Sequence, residues 1–508
     1  MALQSTVQAR VVGNRVAVIG LGLTGIATLK NLLEEGFDAV GFERHNHIGG
    51  LWRCYPSGEQ VAQYIEDYAK YFELSRKNRC QLGVRIDRID RSKDGSQWAI
   101  DVNQGSHGSR TELFDRVVVT TGPFHTAFMP KVEGAESFKG KVLHAQEFKD
   151  PEVFKGQRVV VVGLSNTAAD IAVDLSEVAD KTYVSHRSGA FIITRLSNGQ
   201  PLDHRITRRI ASLGSAFNSA FPTLAAKLST TLLARNMRKQ YPLMKKSWGL
   251  LPARPILYAS PAVNEKIMSC LESGTISSLP GIRRFLPDGH SIEFTNDVTL
   301  SSVDAVIFAT GYLFDFSILG SEADPTATPT PEWDSSPNAN GLLYPRLYQG
   351  IFSPAYSDSL AFIGPFRGHS IAAFSNADLT SQAITQVWKG NFSLPPRSEM
   401  ESWCDKNYQK SVSQLSVWHI QKVGTDPKPL EKWLNAAAGN GLNEMLGWTS
   451  KKAWSFWWRD RKLYNLLMDG IDTPYIYRLF DGERGEKSRK KWDGARDAIF
   501  KTNGLVAQ

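Results

Sequence analysis

Three glycines, Gly20, Gly22 and Gly25, are spaced as G-x-G-x-x-G and follow at once on the apolar, β-branched run Arg15–Ile19. Each has a plain job if a dinucleotide binds there. Gly20 permits a tight turn, Gly22 removes the side chain that would block a pyrophosphate, and Gly25 lets the next helix pack close to the strand. The phosphates then meet the unpaired N–H groups at the helix start. Glu43 lies eighteen positions beyond Gly25. A carboxylate there would accept hydrogen bonds from ribose hydroxyls, which suits FAD or NAD and disfavours a phosphorylated ribose. A purely structural turn is the plainer alternative. The helix pattern at 26–35, ended by Gly36, and the strand pattern at 37–43 supply the context that a nucleotide turn requires.

The same grammar returns at Arg158–Val162, followed by Gly163, Ser165, Asn166, Thr167 and Ala168, a helix to about 178 and a strand at 182–185. Ser165 and Ala168 stand where glycines would be ideal. Arg187, at the end of the second unit's strand where Glu43 stood in the first, could grip the 2′-phosphate of NADP bidentately; the bland reading is a solvated surface arginine. Two units of one design imply two nucleotides. Two further runs end in threonine-glycine turns, 116–120 before Thr121 and Gly122, and 304–308 before Ala309, Thr310, Gly311 and Tyr312. Short strands feeding such turns suit the carboxyl edge of a doubly wound α/β sheet.

At 508 residues, with 42% apolar and 22% charged side chains, the chain is long enough for two or more cores. Cys54, Cys80, Cys270 and Cys404 have no paired spacing, and His45 and His47 have no third ligand beside them, so no disulfide scaffold and no metal site are expected. No apolar core of signal-peptide length opens the chain, and no uninterrupted run would cross a bilayer. The expectation is a soluble, cytoplasmic protein with no nucleic-acid partner. The net charge of +8 is concentrated: residues 204–264 hold ten Lys and Arg and no Asp or Glu. There Ile206, Ile210, Leu213, Phe217, Phe221, Leu224 and Leu228 recur at helical spacing, with a break at Pro222. This stripe is expected to pack on the second nucleotide domain as a lid; a basic amphipathic helix lying on an anionic membrane is the less favoured reading. Trp433, Trp448, Trp454, Trp457 and Trp458 are expected to pack the last helices, and 321–340, rich in Pro, Ser and Thr, reads as a surface loop.

Gly49, Gly50, Leu51 and Trp52 follow the first nucleotide unit, and Phe138, Gly140, His144 and Phe148 precede the second in the order F-x-G-x-x-x-H-x-x-x-F/Y. On these motifs the chain resembles the class B flavin monooxygenases, specifically the flavin-containing, N- and S-oxygenating branch; Phe148 stands where the Baeyer-Villiger branch usually has tryptophan. The resemblance implies two Rossmann-like domains, with an NADPH domain at 152–305, carrying the basic insertion 204–264, set into an FAD domain formed by 1–151 and by 306–508 with its C-terminal helices. By it, Gly50, Leu51, Trp52, Thr121, Gly122 and Gln382 would line FAD, Ser165 to Ala168 would touch the NADPH pyrophosphate, and Thr310 and Gly311 count among the cofactor-binding residues. The implied reaction reduces FAD with NADPH, adds O2 to the reduced ring, and passes one oxygen from the flavin hydroperoxide to a soft nucleophile, an amine or sulfide. Such chemistry names no side-chain acid or base. A homodimer stays open.

One departure is plain. The family has several tens of residues between Gly-Gly-Leu-Trp-Arg and the helix corresponding to 60–72, with an asparagine facing the flavin; here Arg53 reaches that helix through 54–59. An oxidase-like or inactive relative is therefore one alternative reading, and a Baeyer-Villiger-type ketone monooxygenase another. A disulfide reductase would need a second cysteine near Cys54, and none lies there.

Overall fold

The computed structural model describes residues 13–48, 58–74, 79–197, 200–201, 204, 206–256, 259–339, 341–364, 373–415, 427–482, 489 and 491–505. The chain forms two compact α/β units, one from residues 1–125, 314–467 and 472–508, the other from 126–313 and 468–471.

The first unit is built on a five-stranded sheet in the order Leu360–Phe362, Arg116–Val119, Arg15–Ile19, Asp38–Phe42 and Cys80–Gln81, with every neighbouring pair parallel. The sequence explains the layout. Strand β1 (Arg15–Ile19) and the strand Arg116–Val119 are runs of Val, Ala and Ile buried on both faces, the signature of a sheet covered from both sides. Between β1 and β2 (Asp38–Phe42) runs helix α1 (Leu23–Glu34), which ends before Gly36 at φ +87 as its glycine stop predicts. Helix α2 (Gly58–Tyr71) follows further along the chain. An antiparallel sheet of Arg85–Arg91, Trp98–Asn103 and Ser109–Phe114 alternates buried and open side chains, and its inner face, with Trp98 and Phe114, joins the same core. Part of the segment read as a surface loop belongs to that core too: Trp333 is fully buried and donates its indole N–H to the Leu342 carbonyl at 2.6 Å. The loop-like composition concealed one anchoring aromatic.

The second unit has its own parallel sheet, ordered Ile276–Pro280, Lys181–His186, Arg158–Val162, Ala305–Phe308 and Lys141–His144. Val159, Val160 and Val161 sit at its centre, fully buried. Helix α3 (Asn166–Leu175) crosses over after the central strand. The unit extends beyond the expected limits of 152 and 305. Lys141–His144 pairs with Ala305–Phe308 as an edge strand, and Thr126–Ala127 pairs with Tyr312–Leu313, so the backbone ladder draws both flanks in. Thr310 and Gly311 consequently belong to this unit.

Two expectations about apolar segments are corrected. The basic stripe folds as α4 (Arg208–Ala220) and α5 (Pro222–Gln240), broken at Pro222 as predicted, but it is not packed as a lid: α4 has no buried residue and α5 buries only Met237. Among the C-terminal tryptophans, Trp433 packs edge-on against Tyr348 and Phe392, whereas Trp448, Trp454 and Trp458 stand exposed. Amphipathic periodicity defines a face, and only the tertiary packing decides whether a neighbour covers it.

Candidate cofactor-binding site

The turn after β1 is shaped by contacts that leave no freedom at two of its glycines. Gly20 lies at φ +94, and a Cβ on Gly25 would stand 1.8 Å from the Gly20 carbonyl oxygen. Helix α1 therefore begins in direct contact with the turn it leaves, which only glycine permits. Its N-cap is Gly22, and no side chain caps the helix, so its first N–H groups stay open to a ligand. Glu43, buried at 7% exposure, closes this arrangement. Its Oε2 accepts the Leu21 N–H at 2.8 Å and its Oε1 the His45 N–H at 3.0 Å. Each oxygen keeps acceptor capacity, and the carboxyl group is locked to the glycine turn itself. Thr121 and Gly122 lie exposed at the carboxyl end of the neighbouring strand, Gly122 at φ +77. Gly50, Leu51 and Trp52 lie outside the described residues.

The second turn repeats the design with different tolerances. Gly163 lies at φ +124, and a Cβ there would meet the Ala309 carbonyl at 2.7 Å. Ala168, where the first unit has Gly25, is fully buried, so the helix stands far enough from the turn for one methyl group. Ser165 is the N-cap of α3 but makes no capping bond, and Ser165, Asn166 and Thr167 are exposed at the helix start. Asn166 also ties the turn to a neighbouring segment, because its Oδ1 accepts the Val263 N–H at 2.8 Å.

Arg187 is exposed after the strand Lys181–His186, where Glu43 sits in the first unit. Sequence reasoning missed its companion, Arg254. Burial, and then the nearby Arg187 cation, hold the Arg254 guanidinium below its ordinary pKa. The segments carrying the two arginines meet at the Gly189–Ala253 bridge, so both cations add to one electropositive region, which suits a phosphate dianion. Arg254 is 67 positions along the chain from Arg187, and no local spacing links them.

The F-x-G-x-x-x-H-x-x-x-F residues all lie in the second unit, where Phe138 and Phe148 join separate core clusters. A Cβ on Gly140 would collide with the Asp304 carbonyl at 2.5 Å, Phe138 packs on Phe285 at 5.0 Å, and Phe148 stacks on Phe154 at 5.8 Å. His144, 1% exposed, places Nε2 at 2.9 Å from the Gly311 carbonyl and stands edge-on to Tyr312. The Thr310 hydroxyl donates to the Phe128 carbonyl at 2.5 Å. Thr310 and Gly311 thus anchor the turn through groups already engaged within the unit.

Gln382, on the helix Ala373–Trp388, is buried; its Nε2 donates to Asp378 at 2.5 Å and its Oε1 has no partner among the described residues. It sits in a charged network missed by sequence reasoning. Lys30 and Asn31 of α1 reach Asp378 at 3.2 and 3.0 Å, and Arg489 donates to Asn31 and Glu34. Lysine and asparagine inside the helix of a glycine turn were the available signal, since buried polar groups require partners. Among the described residues, no group of three or more His, Cys, Asp or Glu could hold a metal ion.

The profile of the flavin-binding monooxygenase-like family matches residues 13–60 and 54–506. The chain belongs to this family. The two matched stretches meet at the shortened segment after Arg53. Among relatives of this flavin-binding monooxygenase, monooxygenase aurF of Gibberella zeae is 36% identical over 523 aligned positions, covering 96% of this chain and 97% of that protein. Human flavin-containing monooxygenase 3 is 27% identical, covering 96% and 91%. The fold is shared with S-allyl-L-cysteine S-oxygenase from Allium sativum, at 19% identity, 96% and 98% coverage and a TM-score of 0.57. It is shared likewise with an open form of cyclohexanone monooxygenase, at 15% identity, 85% and 98% coverage and a TM-score of 0.59. Both are solved structures. The two Rossmann-like domains expected from the glycine turns are therefore the fold of this oxidoreductase.

Proposed function

We propose that the first unit holds FAD, that the second holds NADP(H), and that the protein transfers one atom of O2 to a soft nucleophile, an amine or a sulfide. The observation that carries this reading is the contrast at one equivalent point of the two units: a buried carboxyl group, Glu43, locked to the first glycine turn, and a guanidinium, Arg187, with Arg254 beside it, after the second. A carboxylate accepts from ribose hydroxyls and repels a 2′-phosphate, while a guanidinium pair does the opposite. The residues present fit both groups. Glu43 would hold the ribose of FAD and the open start of α1 its pyrophosphate; the start of α3 and Arg187 would hold NADP(H).

FAD, when bound, supplies the electron-accepting ring and the activation of O2. The chain's part is binding and orientation. No side chain is assigned a proton-transfer role. Phe148 in the fingerprint supports the amine- and sulfide-oxygenating branch over ketone oxidation.

A second reading has its own observation. The family match breaks at the shortened segment after Arg53, where the flavin-facing asparagine of the family has no counterpart, and this supports an NADPH oxidase that releases peroxide. The deciding experiment records the visible spectrum of the purified protein for bound flavin. It then follows NADPH oxidation, peroxide and product with and without a tertiary amine or a thioether. Oxygenated product in step with NADPH supports the monooxygenase; peroxide alone, whatever nucleophile is added, supports the oxidase.

A further inference from the structure

The hairpin of α4 and α5 presents an apolar face that no described residue covers. Ile210, Leu213 and Phe217 on α4, and Leu224, Leu228 and Leu232 on α5, recur three or four positions apart and are 38–57% exposed. That spacing places each set on one side of its helix. The helices join at the break, where Phe217 meets the ring of Phe221 at 5.7 Å. The hairpin is fastened to its unit at defined points: Met237, with Leu233 and Ala234, sits on the core, and Arg209 makes a bidentate pair with Asp469 at 2.7 and 2.8 Å. A fixed element with an open apolar face marks an interaction surface.

The charge identifies what it meets. Lys227, Arg235, Arg238, Lys239, Lys245 and Lys246 are all exposed on α5 and the turn after it. No Asp or Glu occurs anywhere in 204–264. A second copy of the hairpin would bring two uniformly cationic faces together, which like-charge repulsion opposes. Long basic side chains bordering an apolar helical face suit an anionic bilayer, where the apolar groups enter the headgroup boundary and the cations remain among the phosphates. No helix of the described residues is long and apolar enough to cross a membrane, so contact of this kind would be peripheral.

We propose that the α4–α5 hairpin docks this protein on a membrane surface bearing anionic lipids. The test is co-sedimentation of the full chain with phosphatidylcholine vesicles containing about one-third phosphatidylserine, and with phosphatidylcholine alone. The expected result is binding to the anionic vesicles only, abolished by about 0.5 M salt. The combined variant Arg235→Gln, Arg238→Gln and Lys239→Gln should weaken binding about a hundredfold, at about fivefold per charge. Leu224→Ser with Leu228→Ser should weaken it about tenfold or more while leaving the charge intact. Both alter exposed side chains, and the comparison is made on whichever keeps the parent's thermal unfolding midpoint. No binding to anionic vesicles at low salt would overturn the proposal. So would binding that both variants retain, or a lipid-free dimer that the leucine variant dissolves.

Discussion

The Nε2 of His144 lies 2.9 Å from the carbonyl oxygen of Gly311, and the Nδ1 of the same ring accepts the Gln146 N–H at 3.1 Å. With Nδ1 accepting, the ring proton sits on Nε2 and is donated to Gly311. The same carbonyl accepts the Phe128 N–H at 3.0 Å. The fingerprint histidine is thus a positioning residue that fixes the turn at Thr310 and Gly311. Replacing it with alanine removes one of two donors to this carbonyl and empties a buried site, and should lower stability by about 1–3 kcal/mol. Thermal unfolding of His144→Ala checks this.

Acidification should act on the same ring. Burial, opposed by the Gly311 hydrogen bond and by Glu147, holds the His144 pKa below the ordinary histidine value, and burial does the same to His186. The unfolded chain then binds these protons first. The stability from the neutral rings is complete above about pH 6.5 and is lost as the pH falls below it. Unfolding midpoints measured downward from about pH 7.5 should decline through this window, and less steeply in His144→Ala. An identical slope in both proteins would remove His144 from the account.

Gly25→Ala should prevent the first turn from forming as observed. Its Cβ would stand 1.8 Å from a backbone oxygen that cannot move without the turn, a cost of about 3 kcal/mol. Gly41→Ala offers a milder comparison, because its Cβ would meet the buried Leu21 side chain, Cδ2 at 2.4 Å, rather than backbone, and a crowded core side chain yields at about 1–3 kcal/mol. Flavin absorbance of the purified variants should be lost in the first and largely kept in the second.

Arg187→Ala should raise the KM for NADPH about tenfold to a hundredfold and leave that for NADH nearly unchanged, since only the former carries a 2′-phosphate. Arg254→Ala should act in the same direction. Steady-state kinetics with both nucleotides decide it, and equal effects on the two would place the arginines elsewhere.

Asp378 anchors the buried network of the first unit. Burial raises its pKa, but Lys30 and Arg489 outweigh that and hold it at about 2. The stability it supplies is present above the ordinary aspartate value of about 4 and is lost as the pH falls toward the folded one. Asp378→Asn leaves two buried cations with less compensation and should cost about 3 kcal/mol. Chemical denaturation at neutral pH measures that loss, and in acid the variant should fall more shallowly than the parent.

Local chemistry determined much of this protein from sequence alone. Val and Ile runs buried on two faces, glycines at fixed offsets, and a stop at Gly36 are consequences of sterics within a few residues, so both glycine turns and their α/β setting were legible. The break at Pro222 was legible for the same reason. The tertiary structure decided what depends on distant partners: the locking of Glu43 onto Leu21, the meeting of Arg187 with Arg254, the donation from His144 to Gly311, and the burial of Lys30 against Asp378. It also decided that the α4–α5 stripe and Trp454 and Trp458 face outward while Trp333 turns in. Helical periodicity and composition rank how apolar a face is; whether that face is covered depends on the fold, because burial is a property of two surfaces and the sequence pattern describes one.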